Sequence, residues 1–215
     1  MEEPTSSPLL LIVSSPSGAG KTTLTNALRA RVAGVNFSVS HTTRKPREME
    51  RNGREYYFVD RTEFQALIEQ DSFLEWALVH GNFYGTSRGE VERASGCRAL
   101  LFDVDYQGAR QIKCAEPDAV TVFILPPDMH TLEARLRGRA SEDEGAVQRR
   151  FHAAKDEIAH YGFFDYVLVN DDLELAIQRL IAIFLAEECR RKRSASRAEQ
   201  LLNQVRGFGG TTPPR

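Results

Sequence analysis

The sequence predicts an α/β protein in which helices flank a parallel β-sheet, and three observations support this. Residues 9–13 form a continuous apolar run of the kind found in strands buried inside a parallel sheet. A glycine-containing loop follows this run and leads into a helical pattern. Strand-like and helix-like segments alternate along most of the chain, which is typical of βαβ units.

Residues 15–22, Ser-Pro-Ser-Gly-Ala-Gly-Lys-Thr, predict a phosphate-binding loop. Gly18 and Gly20 lack Cβ atoms, so the backbone can close around an anion, with its N–H groups and the next helix N-terminus facing phosphate oxygens. Lys21 is expected to reach the β- and γ-phosphates and the Thr22 hydroxyl to bind Mg²⁺. The first glycine of the general motif is replaced by Ser15. This pattern predicts a P-loop NTPase-type core.

The remaining elements are predicted from propensity and periodicity. Strands are expected where apolar, β-branched and aromatic residues cluster, at 37–40, 56–59, 73–80, 98–104, 120–125 and 166–170. Helices are expected where apolar residues recur at helical spacing, at 22–31, 60–70, 88–95, 129–137 and 147–161. Residues 82–86 are interpreted as a turn. Asp171 or Asp172 is expected to cap a last helix with the apolar stripe Leu175, Ile177, Leu180, Ile181, Phe184 and Leu185.

Composition limits the class of protein. The chain has 215 residues, of which 41% are hydrophobic and 27% charged, as in a soluble domain with a substantial core. No apolar stretch is long enough to span a bilayer, and the acidic N-terminus lacks the features of a secretory signal. The three cysteines are widely spaced, which suits a reducing compartment. A cytoplasmic protein without a membrane association is therefore expected.

The formal net charge of −2 is unevenly distributed, because residues 190–215 are strongly basic. The run Arg-Arg-Lys-Arg at 190–193 would suit contact with nucleic acid or a membrane surface. The alternative, a solvated helix end helped by the helix dipole, is favoured. Residues 190–215 are accordingly interpreted as a basic, flexible tail, and no nucleic-acid partner is expected.

A second group of motifs follows the phosphate loop. In chain order they are Ser-Val-Ser-His-Thr-Thr-Arg-Lys-Pro-Arg at 38–47, Tyr56, Phe-Leu-Glu-Trp-Ala at 73–77, Gly-Asn-Phe-Tyr-Gly-Thr-Ser at 81–87 and Asp-Val-Asp-Tyr-Gln-Gly at 103–108. With that loop before them, they closely resemble the guanylate kinase family, which phosphorylates GMP. The resemblance covers about residues 10–188 and includes Ser15, since family members often lack the first glycine.

The resemblance implies how the chain is divided and which residues bind GMP. It implies a core of residues 1–36, 94–128 and 157–189, a GMP-binding insert at 37–93 and a lid at 129–156. It assigns GMP binding to Ser40, Arg44, Arg47, Tyr56, Glu75, Tyr84 and Thr86. It assigns the ATP site to Ser15, Pro16, Ser17, Gly18, Ala19, Gly20, Lys21, Thr22 and Thr23, with Asn170 near the adenine.

The residue types suit these assignments. Arg44 and Arg47 are three apart in a turn stiffened by proline and can hold a doubly charged phosphate, to which tyrosine hydroxyls can also donate. The Glu75 carboxylate matches the adjacent N1–H and N2 donors of guanine. Hydroxyls of Ser40 and Thr86 can serve O6. Adenine presents an acceptor at N1, which would leave the buried carboxylate unpaired and cost a few kcal/mol of binding free energy.

The acids and the lid arginines complete the expected site. Asp103 ends a strand beside the phosphate loop, where it can support Mg²⁺ directly or through water. Asp105 is expected either to do the same or to contact GMP. The resemblance places Arg135, Arg139 and Arg150 of the lid over the ATP phosphates. In the protein without substrates these lid arginines are expected to be exposed, because they repel the arginines of the GMP insert.

These inferences predict the reaction MgATP + GMP ⇌ ADP + GDP, with dGMP as a further acceptor, in purine nucleotide metabolism. Mg²⁺ is the expected cofactor, and a homo-oligomer is left open. The acceptor phosphate is already mostly ionised because its second pKa is about 6, so no strong general base is required. Catalysis is expected from positioning and charge stabilisation. The residues expected to provide it are Lys21, Arg44, Arg135, Arg139 and Arg150.

Three alternatives compete with this interpretation. A small-molecule kinase on the same fold, such as one acting on a phosphorylated sugar, would not need Glu75, Ser40 and Thr86 together. A guanylate-kinase-like module that binds protein partners would have lost the intact phosphate loop, whereas Lys21 and Thr22 are present. A regulatory GTPase is disfavoured because the chain has no Asn-Lys-x-Asp motif.

Overall fold

A computed structural model describes residues 7–79, 81–138 and 144–208, the last four as backbone only. The strands are β1 (Leu9–Ser14), β2 (Val35–Phe37), β3 (Ser40–Thr42), β4 (Tyr56–Phe58), β5 (Phe73–Val79), β6 (Asn82–Ser87), β7 (Ala99–Asp103), β8 (Val120–Leu125) and β9 (Tyr166–Val169). The helices are α1 (Lys21–Arg31), α2 (Arg61–Glu69), α3 (Gly89–Arg93), α4 (Tyr106–Ala115), α5 (Met129–Arg137), α6 (Glu144–Ile158), α7 (Leu173–Glu188) and α8 (Arg191–Phe208), with a 3₁₀ turn at Tyr161–Phe163.

The main sheet has the strand order β2-β7-β1-β8-β9, and its strands pair in parallel throughout. Alternate residues of β1 face opposite layers. Leu9, Leu11 and Val13 pack against α1 and α7, whereas Leu10 and Ile12 pack against the layer that contains α4. The predicted α/β class with a parallel sheet between helices is confirmed.

Helix α4 was not predicted, although its N-cap is recognisable in the sequence. The Asp105 carboxylate accepts a hydrogen bond from the Gly108 N–H at 2.8 Å, as an N-cap residue does. Ala109 and Ile112 are buried against the main sheet. The helix therefore begins directly after the carboxyl end of β7.

A second sheet of order β4-β3-β6-β5 uses residues between 40 and 87. Two predictions fail here. Residues 37–40 are not one strand, because Phe37 pairs with Leu101 in the main sheet whereas Ser40 begins β3 of the second sheet. The chain changes sheets between them.

Residues 82–86 are also a strand rather than a turn, since β6 pairs antiparallel with both β3 and β5. The turn lies just before it, at Gly81, whose φ of +81° glycine readily adopts. A Cβ on Gly85 would lie 3.0 Å from the Phe64 ring and 2.9 Å from Trp76 Cβ. Close packing of α2 on the sheet selects glycine here, despite its low strand propensity.

Helices α5 and α6 form a pair with its own apolar cluster, made of Leu132, Leu136, Val147 and Ala154. Part of the same cluster faces the phosphate loop, because a Cβ on Gly18 would lie 3.1 Å from methyl carbons of Leu132 and Leu136. The helix pair is therefore packed directly on the loop.

The last core helix, α7, begins at one of the two predicted cap residues. Asp172 caps α7 and accepts from the Leu175 N–H at 2.8 Å. The predicted apolar stripe is wrong at Leu175 and Leu185, which are exposed, while Ala176 is buried in their place.

The basic segment after α7 differs from the predicted flexible tail, because residues 191–208 form helix α8. Its basic first turn opposes the helix dipole rather than benefiting from it. Ion pairs compensate: Lys192 lies 2.7 Å from the Asp118 carboxylate, and Arg190 lies 2.9 Å from that of Glu187. Residues 209–215 of the predicted tail lie outside the described residues. Within the described ranges, no helix combines the length and hydropathy that crossing a bilayer requires.

Candidate active site

The phosphate loop joins β1 to α1 with the geometry that anion binding needs. Gly18 and Gly20 have φ values of +90° and +99°, which side chains with a Cβ rarely adopt. Within the loop the Ala19 N–H donates to the Pro16 carbonyl at 3.2 Å, and the Ser15 hydroxyl to the same carbonyl at 3.0 Å. Gly20 is the N-cap of α1, and the first turn of that helix carries no acidic residue. Its positive dipole end therefore remains available to an anion.

Asn170 holds this loop from the end of β9. Its side-chain amide is buried and donates to the Ala19 carbonyl at 2.7 Å. A Cβ on Gly20 would lie 2.3 Å from the same amide nitrogen, so only glycine fits against it. Asn170 thus supports the backbone of the loop, a role that the sequence resemblance does not indicate.

Lys21 lies among carboxylates. Its ammonium group forms an ion pair with Asp103 and is 3.5 Å from the Val104 carbonyl. Burial lowers the pKa of Lys21 to about 8, while the nearby carboxylates of Asp105 and Glu157 act in the opposite direction. The lysine is therefore still mostly protonated at neutral pH, and it provides a cation at the start of α1.

The predicted magnesium ligands have suitable chemistry. Thr22 lies in the first turn of α1 with an exposed side chain, and Asp103 is exposed at the carboxyl end of β7. A hydroxyl and a carboxylate are hard oxygen donors, which Mg²⁺ prefers. The described residues contain no cluster of three or more acidic, histidine or cysteine ligands. Such a sparse donor set fits an ion that takes its other ligands from phosphates and water.

The lid arginines lie against the phosphate loop rather than in solvent, so the expectation that they are exposed is wrong for two of them. Arg135 donates to the carbonyls of Ala19 and Asn170, at 3.5 and 3.3 Å, and Arg150 donates to the Ser17 hydroxyl. Backbone and hydroxyl oxygens attract these guanidinium groups in place of a phosphate, which outweighs the expected repulsion. Arg139 lies outside the described residues.

Glu75, Thr86 and Ser40 form a hydrogen-bonded chain in the second sheet. The buried Thr86 hydroxyl donates to Glu75 Oε1 at 2.7 Å, and Ser40 Oγ lies 3.0 Å from Thr86 Oγ1. Because the single proton of Thr86 is used by Glu75, Ser40 is the donor to Thr86 when Glu75 is ionised. Burial raises the pKa of Glu75 to about 7, against the effect of the Thr86 hydrogen bond.

Helix α4 approaches this carboxyl group closely. A Cβ on Gly108 would lie 3.1 Å from Glu75 Oε2, so the absence of a side chain leaves room there. On the same helix the Gln111 amide exchanges two 3.1 Å hydrogen bonds with the Trp76 backbone and fastens β5 to α4.

Asp105 connects the two regions. Its negative charge raises the pKa of both Lys21 in the phosphate loop and Glu75 in the second sheet. The geometry agrees, because Lys21 Nζ lies 3.5 Å from the Val104 carbonyl, and a Cβ on Gly108, whose N–H donates to Asp105, would lie 3.1 Å from Glu75 Oε2. The phosphate loop and the Glu75 site are therefore adjacent.

The remaining predicted GMP ligands form a basic and aromatic cluster. The Arg44 guanidinium carbon lies 5.4 Å from the centre of the Tyr56 ring, and the rings of Tyr56 and Tyr84 are 6.0 Å apart. The pKa of Arg44 is raised, first by its hydrogen bond with Glu50 and further by Tyr84. Arg47 is exposed beside this cluster. Both phenols and both arginines are therefore available at one place on the second sheet.

Comparison with known proteins identifies the family. The guanylate kinase family model matches residues 7–187. A guanylate kinase from Aromatoleum aromaticum is 50% identical over 183 residues, which are 84% of this chain and 89% of that protein. A guanylate kinase from Rhodospirillum rubrum is 46% identical over 219 residues, covering 97% of this chain and 100% of the relative. The chain belongs to the guanylate kinase family.

A solved structure agrees with this assignment. The crystal structure of guanylate kinase from Anaplasma phagocytophilum has a TM-score of 0.69 and 35% sequence identity, and the match covers 88% of this chain and 90% of that one. The guanylate kinase family and the phosphotransferase class predicted from the sequence are thereby confirmed.

Two carboxylates of the candidate site were not predicted from the sequence. Glu157 of α6 accepts from the Ser17 N–H at 3.2 Å, and burial raises its pKa. It lies seven residues after Arg150, on the same helical face, which is a signal that spacing could have provided. Glu50 accepts from both Arg44 and Arg47. Its spacing of three residues from Arg47 carries no comparable signal, because that segment is a loop.

Proposed function

We propose that this chain transfers the γ-phosphoryl group of MgATP to GMP, and also to dGMP. The observation that carries the proposal is that the segment from Val104 to Gly108 lies between the two sites, with Lys21 Nζ 3.5 Å from the Val104 carbonyl and a Cβ on Gly108 3.1 Å from Glu75 Oε2. A phosphate donor held at the loop and a guanine held at Glu75 would lie on either side of this segment. In this arrangement Asp105 helps to position GMP as well as to support Mg²⁺.

The donor half of the reaction is assigned to the phosphate loop and the lid. The N–H groups between Ser15 and Thr23 and the N-terminus of α1 bind the ATP phosphates. Lys21, Arg135 and Arg150 stabilise the charge that develops on the transferred group, and Arg139 is assigned the same role from the sequence. Thr22 and Asp103 hold Mg²⁺, which neutralises phosphate charge when bound. Asn170 supports the loop beside the adenine.

The acceptor half is assigned to the second sheet. Arg44, Arg47, Tyr56 and Tyr84 bind the phosphate of GMP, whose ionised oxygen is the nucleophile and needs no strong base. Glu75 accepts from N1–H and N2 of guanine. Ser40 is released from Thr86 when the base binds, so that one hydroxyl can donate to O6.

The division of the chain follows from these assignments. We infer that residues 37–93 act as the GMP-binding insert and residues 129–156 as the lid on the core. Arg135 and Arg150 already contact the loop, so their guanidinium groups lie close to the place where the ATP phosphates would bind.

A substrate panel tests the proposal. Steady-state rates are measured with MgATP and, in turn, GMP, dGMP, AMP, UMP and ribose phosphates. The expected result is turnover of GMP and dGMP, with AMP and UMP at least about 10²-fold poorer in kcat/KM, because a mispaired buried carboxylate opposes their binding. Preference for a sugar phosphate, or no turnover of any acceptor, would contradict the proposal.

The pKa of Glu75 predicts how base binding depends on pH. Below about pH 7 the carboxyl is protonated in the free protein and accepts poorly from guanine N1–H. Affinity for guanosine should therefore fall as the pH is lowered from 8 to 6, and binding near pH 7 should release a proton. Calorimetric titration in two buffers of different ionisation enthalpy measures that release, and guanosine avoids titration of the GMP phosphate.

The raised pKa of Glu75 also determines how the free energy of unfolding depends on pH. The folded pKa lies above the ordinary value of 4.5, so the folded protein binds this proton more tightly than the unfolded chain does. The contribution of Glu75 to the free energy of unfolding therefore falls as the pH rises from about 4.5 to 7. Guanosine affinity that does not change between pH 6 and 8 would contradict the predicted coupling of base binding to the protonation of Glu75.

A further inference from the structure

A carboxylate lies in the middle of the residues assigned to the GMP phosphate. Glu50 Oε1 accepts from an Arg44 Nη2 hydrogen at 2.8 Å, and Glu50 Oε2 accepts from the Arg47 N–H at 2.7 Å. The Glu50 N–H in turn donates to the Arg47 carbonyl at 3.0 Å. Each oxygen of one side chain thus holds one of the two residues that the phosphate requires.

We propose that Glu50 is a positioning residue for the acceptor phosphate, which fixes the Arg44 side chain and the Arg47 backbone in the arrangement that receives it. The proposal rests on the GMP site proposed above. It adds a residue to which neither the family resemblance nor the chemistry of GMP assigns a role.

Arg44 is held from several directions. Besides Glu50, the Lys45 carbonyl accepts from Arg44 Nη1 at 2.7 Å. The rings of Tyr56 and Phe58 lie 5.4 and 5.9 Å from the guanidinium carbon. A free arginine loses considerable rotamer entropy when it binds a phosphate, and an arginine held in advance loses less. Among the contacts described, Glu50 is the one oppositely charged partner of Arg44.

Glu50 and the phosphate need not compete for the same donors. A guanidinium has five N–H groups, of which Glu50 and the Lys45 carbonyl use one each. Glu50 takes the backbone N–H of Arg47 and leaves the guanidinium of Arg47 in solvent. The Glu50 side chain is only 14% exposed and is tied into its own turn, as expected of a structural part of the site.

The charges of the surroundings favour an ionised Glu50. Arg44 and Arg47 lower its pKa through hydrogen bonds and charge, and burial raises the pKa of Tyr56, which keeps that phenol a neutral donor. Two arginines and one carboxylate leave a net positive cluster for the phosphate. Glu50 therefore weakens the attraction somewhat while orienting the groups that provide it.

Two substitutions test the proposal, E50A and E50Q. The KM values for GMP and ATP, kcat and the affinity for guanosine are measured for each. Guanosine carries the base and not the phosphate, so it separates the Glu75 site from the Arg44 site. We expect E50A to weaken GMP binding about tenfold or more through misplacement of the arginines, with guanosine affinity and the KM for ATP unchanged. E50Q should lie between E50A and the parent protein, because an amide keeps one acceptor and loses the other.

Glu55 provides a matched control. It lies in the same loop, accepts from the Arg51 N–H at 2.8 Å and lies 3.0 Å from Arg54 Nε, and among the contacts described its side chain forms no hydrogen bond or ion pair with a residue assigned to the phosphate. E55A should leave all four quantities unchanged.

Other outcomes overturn the proposal. Tighter GMP binding by E50A would show that Glu50 competes with the phosphate, and equal losses for GMP and guanosine would show a general structural role. If E50A does not fold, the same comparison is made with E50Q, whose shape is conserved. Failure of the parent protein to phosphorylate GMP would instead refute the proposed function, which the E50 variants do not decide.

Discussion

Replacing Lys21 with methionine is expected to reduce kcat by about 10²-fold or more, the loss typical for a group that stabilises transition-state charge. The ammonium group pairs with Asp103 and neutralises the carboxylates around the loop. Without it, Asp103, Asp105 and Glu157 face the ATP phosphates with their charges less compensated than in the parent protein. ATP binding should weaken as well.

The fold and the acceptor site should survive this change. Methionine is close to lysine in volume, and burial already disfavours the charge, as the pKa of about 8 shows. GMP affinity, measured by calorimetry without ATP, should stay within a few-fold of the parent value.

Lys113 is a suitable control because it pairs with Asp165 at 3.0 Å, away from the phosphate loop. Lys113→Met should affect thermal stability and not kcat. Retention of more than about a tenth of kcat by the Lys21 variant would contradict the assigned role.

Replacing Glu75 with glutamine is expected to reduce kcat/KM for GMP by about 10²-fold or more, since an unsatisfied buried polar group costs about 1–3 kcal/mol and a charged one more. The amide oxygen can keep the Thr86 hydrogen bond, but the amide nitrogen then faces two guanine donors. The KM for ATP should barely change. At pH 8 the variant should be at least as stable as the parent protein, because the buried charge is removed.

Glu90 of α3, next to the second sheet, provides a matched control for Glu75. Glu75 and Glu90 are both 5% exposed, but Glu90 accepts from the Val39 N–H at 2.6 Å and pairs with Arg93. Glu90→Gln should lower stability and leave the ratio of GMP to AMP turnover unchanged. Parallel losses for GMP and ATP in the Glu75 variant would make Glu75 a structural residue.

The local elements that sequence reasoning predicted well are those with strong internal signals. The apolar run of β1 and the glycines of the loop depend on contacts within a few residues, so the pattern alone predicts them, and it narrows the cap of α7 to Asp171 or Asp172. The family resemblance assigned Glu75, Thr86 and Ser40 to the same base, and the structure joins these three by hydrogen bonds that the sequence did not predict.

Tertiary structure decided what depends on residues far apart in the chain. Strand β6 has weak intrinsic propensity and exists because β3 and β5 pair with it, and Gly85 is explained only by the approach of Phe64. Glu157 meets the Ser17 N–H across 140 positions of sequence, and Arg150 and Arg135 turn onto the loop. Sequence patterns record local periodicity and chemistry. Which charges come together is decided by tertiary packing, and burial by that packing is what shifts the pKa values of Lys21 and Glu75.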